Sequence, residues 1–169
     1  TTEDETKNPR SISKLIINHA VDSLLVTPTK MLWLIHGGKK QDVLRAVKSI
    51  VLAGEHLQPV LVKIIQNMSD ARIVNAYGPT EATVFVTWKL ITDAQSISIG
   101  CALTDDEIIL LDDHMNYVKD GVEGEICIAG PSLAAGYINE CEDAHHNFTT
   151  FCGKRIYRTG DIGYKKGQD

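Results

Sequence analysis

Hydrophobic residues in the first third of the chain recur with the spacing of helices and strands in turn. The segment Ile12 to Ala20 carries apolar residues at positions 12, 15, 16 and 20, which places them on one face of a helix. Ser23 to Val26 is a short apolar run typical of a buried strand. Thr29 to His36 returns to the helical spacing and is followed by two glycines, which can adopt the left-handed conformation that ends a helix. These patterns predict a helix, a strand and a second helix.

The same alternation continues to about residue 88. It predicts helices at Asp42 to Val47 and Leu57 to Asn67, and strands at Ser49 to Ala53, Arg72 to Asn75 and Ala82 to Trp88. Short apolar strands separated by helices indicate a largely parallel sheet that is covered on both faces and has right-handed crossovers. Ligands of such sheets bind beyond the carboxyl ends of the strands. We therefore expect the turns at 53–55 and 75–78 to lie at one edge of the sheet and to bind a ligand.

The second half of the chain has a different pattern. Segments such as Glu107 to Leu111, Glu125 to Ala129 and Arg155 to Arg158 are β-like and are separated by aspartate- and glycine-containing turns, with one helix predicted at Glu142 to Phe148. The predicted fold class is α/β, with a mostly parallel sheet and flanking helices followed by a smaller antiparallel, β-rich subdomain that resembles a distorted barrel. We place the boundary so that residues 1–94 form the α/β part and residues 95–169 the β-rich part.

The composition of the chain argues against two classes of binding partner, nucleic acids and membranes. The chain has 169 residues, of which 43% are hydrophobic, and a net charge of -5, which allows a globular core but gives no broad cationic surface for nucleic acid. Its apolar runs are much shorter than the roughly 20 residues that cross a bilayer. The polar beginning of the chain lacks the apolar segment of a secretory signal. We expect a cytoplasmic protein that binds neither nucleic acid nor membrane.

Candidate chemistry is densest in the segment Asn75 to Glu81, with the sequence NAYGPTE. The asparagine can pair with a base edge and the tyrosine can stack on a base, while the threonine can donate to a phosphate. The glutamate can ligate a hard cation that bridges phosphate oxygens. The alternative interpretation is a Gly-Pro turn beside a core tyrosine.

This segment resembles the core motif of adenylation domains of nonribosomal peptide synthetases, in the superfamily that includes acyl-CoA synthetases and luciferases. Gly124 to Gly130 together with Gly136 to Ile138 resembles the next motif of that family, and Tyr157 to Ile162 resembles the one that follows. Ala53 to Glu55 and Leu25 to Leu32 add weaker matches. The resemblance implies an internal fragment of the large N-terminal subdomain of such an enzyme.

The resemblance implies particular roles for the matched residues. The site for ATP or AMP would be formed by Gly54, Glu55, Asn75, Ala76, Tyr77, Gly78, Thr80 and Asp161. In that site Asn75 would bond to the adenine, Tyr77 would stack on it, and Asp161 would accept hydrogen bonds from both ribose hydroxyls. Thr80 would contact the α-phosphate and Glu81 would ligate Mg²⁺, so these two are the candidate catalytic residues. The backbone of residues 54 and 55 would lie close to the base.

The resemblance also implies an amino-acid pocket. The positions that match it are Leu25, Val51, Ala53, Ala76, Val84 and Phe85. All six are apolar, which favours a hydrophobic substrate side chain because a buried polar group would lack a partner. The alternative is that these residues are simply part of the core.

In a full-length relative, ATP and an amino acid would form an aminoacyl adenylate, and the aminoacyl group would pass to phosphopantetheine on a carrier-protein domain of the same parent chain. This sequence contains no Gly/Ser/Thr-rich phosphate loop of the family's type, so we expect the fragment to be inactive alone. Two alternatives remain open. One is a fragment of an acyl-CoA synthetase or carrier-protein ligase, and the other is a noncatalytic nucleotide-binding or interaction module.

Overall fold

The computed structural model describes residues 2, 6–37, 40–138 and 147–167. Its helices are α1 (Pro9–Asn18), α2 (Pro28–Gly37), α3 (Lys40–Ala46) and α4 (Pro59–Gln66). Its strands are β1 (Ser23–Val26), β2 (Ser49–Ala53), β3 (Arg72–Tyr77), β4 (Thr87–Ile91), β5 (Cys101–Ala102), β6 (Glu107–Leu111), β7 (Gly124–Ala129), β8 (Phe148–Phe151) and β9 (Lys154–Gly163), and a 3-10 helix covers Thr80–Ala82. None of the helices within these ranges is both long and apolar enough to cross a membrane.

The chain forms two compact units. The first contains Thr1–Ala76 and Lys89–Ser98, and the second contains Tyr77–Trp88 and Ile99–Asp169. The boundary that we place after residue 94 stays a prediction.

The first sheet has the strand order β1-β2-β3-β4-β5. Strands β1, β2 and β3 are parallel, with Leu24, Ile50 and Ile73 in register across them. β4 and β5 are antiparallel. The mostly parallel sheet predicted from the alternation of helices and strands is therefore confirmed.

The core of the first unit lies on one face of β1 to β3. Ile50, Leu52 and Ile73 are buried there and pack in one cluster with apolar residues of all four helices. Alternate residues point to the other face, where Val51 is half-buried and Leu25 is 59% exposed. Around Leu25 this second face is less covered than the sequence pattern predicts, because the apolar side chains of the described helices pack on the first face, whereas Ala76 on the second face is buried.

The second unit contains the antiparallel sheet predicted for the second half of the chain, with the strand order β6-β7-β9-β8. The register between β7 and β9 shifts between Glu125 and Cys127. Cys127 and Ile128 are fully buried and belong to two separate apolar clusters of this unit. β9 extends well beyond the four residues predicted for it and includes the Tyr157 to Ile162 motif.

Two predicted elements differ from the structure. The strand predicted at Ala82 to Trp88 begins only at Thr87, because Thr83 and Val84 have φ values of 57° and 75°, outside the β region. The helix predicted at 142–148 lies mostly outside the described residues, and Phe148 is already the first residue of β8.

Candidate functional site

The carboxyl ends of β2 and β3 lie side by side in the first unit. Leu52 pairs with Asn75, and Ala53 pairs with Ala76. Gly54 follows β2 with φ +81°, and a β-carbon added there would lie 3.8 Å from Thr27 Cγ2, an ordinary contact. Glycine is therefore favoured at this turn by the backbone conformation and not by lack of space.

The Glu55 carboxylate is bound to the start of helix α2. It accepts a hydrogen bond from the Thr29 backbone N–H at 2.9 Å, a contact that satisfies one of the free N–H groups in the first helical turn. The hydrogen bonds from Thr29 lower the pKa of Glu55. The Glu55 side chain thus holds the turn at 54–55 against α2, whereas the role predicted for this turn belongs to its backbone.

Asn75 is buried at the end of β3, with 7% of its surface exposed. Its side-chain Nδ2 donates to the carbonyl oxygen of Ser98 at 2.8 Å. This bond fixes the orientation of the amide. A hydrogen bond from Asn75 to adenine stays a prediction.

In the second unit, Tyr77 and Asp161 are joined directly. The Tyr77 hydroxyl donates to Asp161 Oδ2 at 2.6 Å, across 84 residues of sequence. Burial, together with the hydrogen bond to Asp161, raises the pKa of Tyr77, so the phenol keeps its proton and acts as the donor. The structure therefore places side by side the two residues predicted to bind adenine and ribose.

The part of β9 that carries Asp161 is held to β7 by side chains. Asp161 N–H donates to Thr159 Oγ1 at 3.0 Å, and that hydroxyl donates to the Ile126 carbonyl at 2.8 Å. Glu125 accepts from Gly160 N–H at 3.0 Å and from the Arg158 guanidinium. Thr159 and Glu125 belong to the matched motifs, but the resemblance gives neither of them a role.

Glu81 lies in the 3-10 helix directly after Thr80, whose side chain is exposed. Glu81 Oε1 accepts a hydrogen bond from the Tyr137 hydroxyl at 2.5 Å, which lowers the pKa of Glu81. The Glu81 carbonyl accepts from Ala134 N–H at 2.7 Å. The second matched motif thus contacts the proposed metal ligand of the first through Tyr137, a residue that sequence reasoning did not assign to the site.

Position 78 requires glycine because the backbone of Phe85 passes close to it. A β-carbon at this position would lie 2.4 Å from Phe85 Cα, while Val86 N–H donates to the Tyr77 carbonyl at 2.8 Å. The chain reverses within the residues before Val86. Phe85 N–H donates to the Thr83 carbonyl at 3.0 Å, and Val84, the central residue of this turn, has a φ of 75°. This is a γ-turn of the rare, strained form with positive φ.

The predicted amino-acid pocket is divided between the two units. Leu25 is in register with Val51, and Ala53 with Ala76, so these four side chains share one face of β1 to β3. Val84 and Phe85 belong to the second unit, and Val84 is 66% exposed. The pocket stays a prediction.

A magnesium site at Glu81 agrees with the donor atoms of the structure. The described residues contain no cluster of three or more histidine, cysteine, aspartate or glutamate side chains that could hold a metal. Mg²⁺ needs no such cluster, because it commonly binds through one or two carboxylates plus substrate phosphates and water. A single carboxylate beside an exposed threonine fits that mode.

Comparison with known proteins identifies relatives that cover most of the chain. Residues 1–138 match the family of AMP-binding enzymes. Tyrocidine synthase 2 of Brevibacillus parabrevis is 32% identical over 166 residues, a match that covers 95% of this chain and 5% of the synthase. A D-alanine–D-alanyl carrier protein ligase of Bacillus velezensis is 31% identical over 170 residues, which covers 96% of this chain and 34% of the ligase.

A solved structure with a similar fold is that of a four-domain nonribosomal peptide synthetase bound to AMP and glycine. It superposes with a TM-score of 0.85 at 25% identity and covers 98% of this chain and 13% of the synthetase. This chain thus spans at most about a third of the length of these curated relatives, 5% of one and 34% of the other.

Proposed function

Because the chain belongs to the AMP-binding enzyme family, we propose that it binds the adenosine of ATP or AMP and forms part of an enzyme that activates an amino acid as its adenylate. The observation that carries this proposal is the hydrogen bond of 2.6 Å between Tyr77 and Asp161. It joins two matched motifs that are far apart in sequence, at the residues assigned to the base and the sugar.

The chemistry of this pair suits a nucleoside. The ring of Tyr77 can stack on adenine while its hydroxyl stays bonded to Asp161, because stacking uses the face of the ring and the bond uses its edge. A carboxylate has about four acceptor positions, and Tyr77 occupies one of them. Asp161 therefore keeps enough acceptors for the two hydroxyls of a ribose.

The other proposed contacts follow the matched motifs. Further contacts to the nucleotide are assigned to Gly54, Glu55, Asn75, Ala76, Gly78 and Thr80. Glu81 would ligate Mg²⁺, which neutralises charge on the phosphates. In this proposal the residues bind and orient the nucleotide, and Glu81 with its Mg²⁺ neutralises charge on the phosphates. The attack of a carboxylate on a phosphate requires both effects.

In the proposed reaction a carboxylate oxygen of the amino acid bonds to the α-phosphorus of ATP, and the bond to the β-phosphate oxygen breaks to release pyrophosphate. The phosphopantetheine thiol of a carrier-protein domain then takes the aminoacyl group, and AMP leaves. The apolar residues at positions 25, 51, 53, 76, 84 and 85 favour an amino acid with a hydrophobic side chain.

Calorimetric titration with two nucleotides tests the assignment of Asp161. Wild type and Asp161→Asn are titrated with AMP and with 2′,3′-dideoxy-AMP, which lacks both ribose hydroxyls. We expect Asp161→Asn to weaken AMP binding by about tenfold, the effect of losing one hydrogen bond to a charged group, and to leave the weaker binding of dideoxy-AMP unchanged. Asp120→Asn, an exposed aspartate in a turn of the same unit, is the matched control.

Two results would count against the nucleotide proposal. One is an equal loss of affinity for both nucleotides in Asp161→Asn, since the aspartate would then act on something other than the ribose. The other is an equal effect of Asp120→Asn.

The similarity to a D-alanine–D-alanyl carrier protein ligase favours a second candidate, a ligase that loads one amino acid onto a separate carrier protein. Binding of nonhydrolysable sulfamoyl-adenosine analogues distinguishes the two functions. Preference for the D-alanyl analogue supports the ligase, and preference for an analogue of a larger hydrophobic L-amino acid supports the peptide synthetase. Preference for AMP over every analogue would instead support a noncatalytic nucleotide-binding module.

A further inference from the structure

We propose that Tyr137 is a positioning residue for Glu81. Its hydrogen bond holds one oxygen of the Glu81 carboxylate and leaves the other free to bind a divalent cation. Arg155 fixes the backbone that precedes Tyr137. The proposal rests on the metal-binding role proposed for Glu81. It concerns the segment 130–138, which we call the positioning loop.

The Tyr137 side chain is held at both ends. Its hydroxyl donates to Glu81 Oε1 at 2.5 Å and lies 3.5 Å from the hydroxyl of Tyr157, which is only 5% exposed. Its ring meets the ring of Phe148 edge to face, with centroids 5.7 Å apart, a favourable aromatic geometry. Tyr137 is 40% exposed, and these contacts direct its hydroxyl at one oxygen of the Glu81 carboxylate.

Arg155 fixes the backbone beside Tyr137. Its Nη1 donates to the Ala134 carbonyl at 2.8 Å and its Nη2 to the Ala135 carbonyl at 2.9 Å. The guanidinium lies 4.4 Å from the centroid of the Phe148 ring. A planar guanidinium with two fixed donors suits this pair of carbonyls in a way that a lysine ammonium does not.

The positioning loop is also bonded to the segment that carries Glu81. Ala134 N–H donates to the Glu81 carbonyl at 2.7 Å, and Thr83 Oγ1 donates to the Ser132 carbonyl at 2.7 Å. Ser132 in turn donates to Asp106 through its N–H at 3.1 Å and its hydroxyl at 2.5 Å. The loop therefore holds both the backbone and the side chain of Glu81.

This arrangement affects metal binding through geometry. A free glutamate side chain loses rotamer freedom when it binds a cation, and this loss opposes binding. The hydrogen bond from Tyr137 orders the carboxylate before the cation arrives, so that less freedom is lost on binding. Partners that orient a metal ligand in this way commonly change metal affinity about 10- to 100-fold when they are mutated.

Titration of the AMP-saturated chain with Mn²⁺, followed by electron paramagnetic resonance, tests the proposal, because a site with a single carboxylate also needs the phosphate oxygens of the nucleotide. We expect Tyr137→Phe to weaken Mn²⁺ binding by about tenfold, Arg155→Lys to weaken it by about threefold, and Glu81→Gln to weaken it at least as much as Tyr137→Phe. Tyr164→Phe, which removes the hydroxyl of an exposed tyrosine in the same unit, should leave the affinity unchanged. AMP affinity, measured in parallel by calorimetry, should stay at the wild-type value in Tyr137→Phe, which separates positioning from a general loss of structure.

The outcomes separate this proposal from the proposed function. If Glu81→Gln weakens Mn²⁺ binding but Tyr137→Phe binds as tightly as wild type or more tightly, the positioning role is wrong and the metal role of Glu81 stands. If Glu81→Gln binds Mn²⁺ like wild type, or wild type does not bind Mn²⁺, the metal role fails and the positioning role fails with it, while nucleotide binding is judged by AMP alone. Should Tyr137→Phe not fold, the result for Arg155→Lys decides.

Discussion

Val84 combines strain with exposure beside the candidate site. A β-branched residue with φ 75° is a backbone outlier that costs of order 1–3 kcal/mol, and a side chain that is 66% exposed recovers little of that cost by burial. The conformation is held by its neighbours: Gly78 allows the approach of Phe85, and the Thr83 hydroxyl bonds to Ser132. Strain of this kind is often found at ligand sites.

Asp106 carries a prediction about pH. Its side chain is 7% exposed, and although desolvation raises its pKa, hydrogen bonds from Ser132 and Thr104 lower the pKa of Asp106 below the ordinary value. A carboxyl with a lower pKa in the folded state stabilises the protein above the unfolded pKa of about 3.9, and this contribution is lost as the pH falls through the folded pKa. We expect Asp106→Asn to lower the free energy of unfolding at pH 7 by about 1–3 kcal/mol and to make it less dependent on pH between roughly 5 and 2.

Urea denaturation at a series of pH values measures this effect. Asp105→Asn is the matched control, since the neighbouring aspartate is exposed and should give the wild-type pH dependence. An Asp106→Asn protein whose stability falls with acid as steeply as that of wild type would contradict the prediction.

The sequence assigns residues to the candidate site, and these assignments stay predictions, but it does not show which residues they bond to. Tyr77, Glu81 and Asp161 belong to motifs with recognisable chemistry. Tyr137 lies 56 residues from Glu81, and nothing in one sequence shows that two distant polar residues are bonded. Long-range pairs of this kind follow from the packing of strands, which only the structure provides.

Among the helices and strands, the predicted bounds are correct where the local hydrophobic pattern alone determines the element. Strands β1 and β2 have the predicted bounds, because a short apolar run between turn residues is typical of a buried strand. The strand predicted from Ala82 failed because the apolar run Val84-Phe85-Val86 gives no sign of the γ-turn at its centre. The predicted β9 was too short. Its later residues pair with β7 beyond a shift in register between the two strands, and this shift has no sign in the local sequence pattern.

The two turn glycines of the candidate site should respond differently to substitution by alanine. At Gly78 a β-carbon would overlap the backbone of Phe85, at 2.4 Å from its Cα, so the segment after β3 must shift. We expect Gly78→Ala to cost about 3 kcal/mol of unfolding free energy and to reduce AMP affinity. At Gly54 there is space for the methyl group, and only the positive φ is unfavourable, at a cost of about 1 kcal/mol.

Urea denaturation of the two variants, with AMP calorimetry in parallel, makes this comparison. Each variant serves as the control for the other, because both add the same methyl group at a turn. Equal losses of stability, or a larger loss at Gly54, would show that the close approach at Gly78 does not limit this segment.

At the scale of the whole chain, the α/β class, the parallel first sheet and the antiparallel second sheet were all predictable, because each follows from the order of elements along the sequence. Which faces of the first sheet are covered by helices was not predictable. The pattern of β1 to β3 is apolar on both faces, which is typical of a sheet between two layers. In the structure one face is buried against the helices and Leu25 on the other is 59% exposed.

The exposure of Leu25 on this face predicts self-association. Leu25 lies on β1, at the end of the strand order of the first sheet, in register with the half-buried Val51. Uncovered apolar surface at the edge of a sheet favours pairing with a second chain, and a charge placed there opposes it. We expect the apparent mass of the wild-type chain to rise with concentration, and Leu25→Lys to weaken this association by about tenfold or more, because burial of a leucine contributes about 1.5–3 kcal/mol.

Analytical ultracentrifugation at several concentrations tests this. Leu103→Lys is the matched control, since it makes the same change in charge at a leucine of the second unit that is 47% exposed. If wild type has the mass of a monomer at every concentration, the exposed face does not associate under these conditions. If Leu103→Lys reduces association as much as Leu25→Lys, net charge and not the sheet face controls it, because the two variants differ only in where the lysine is placed.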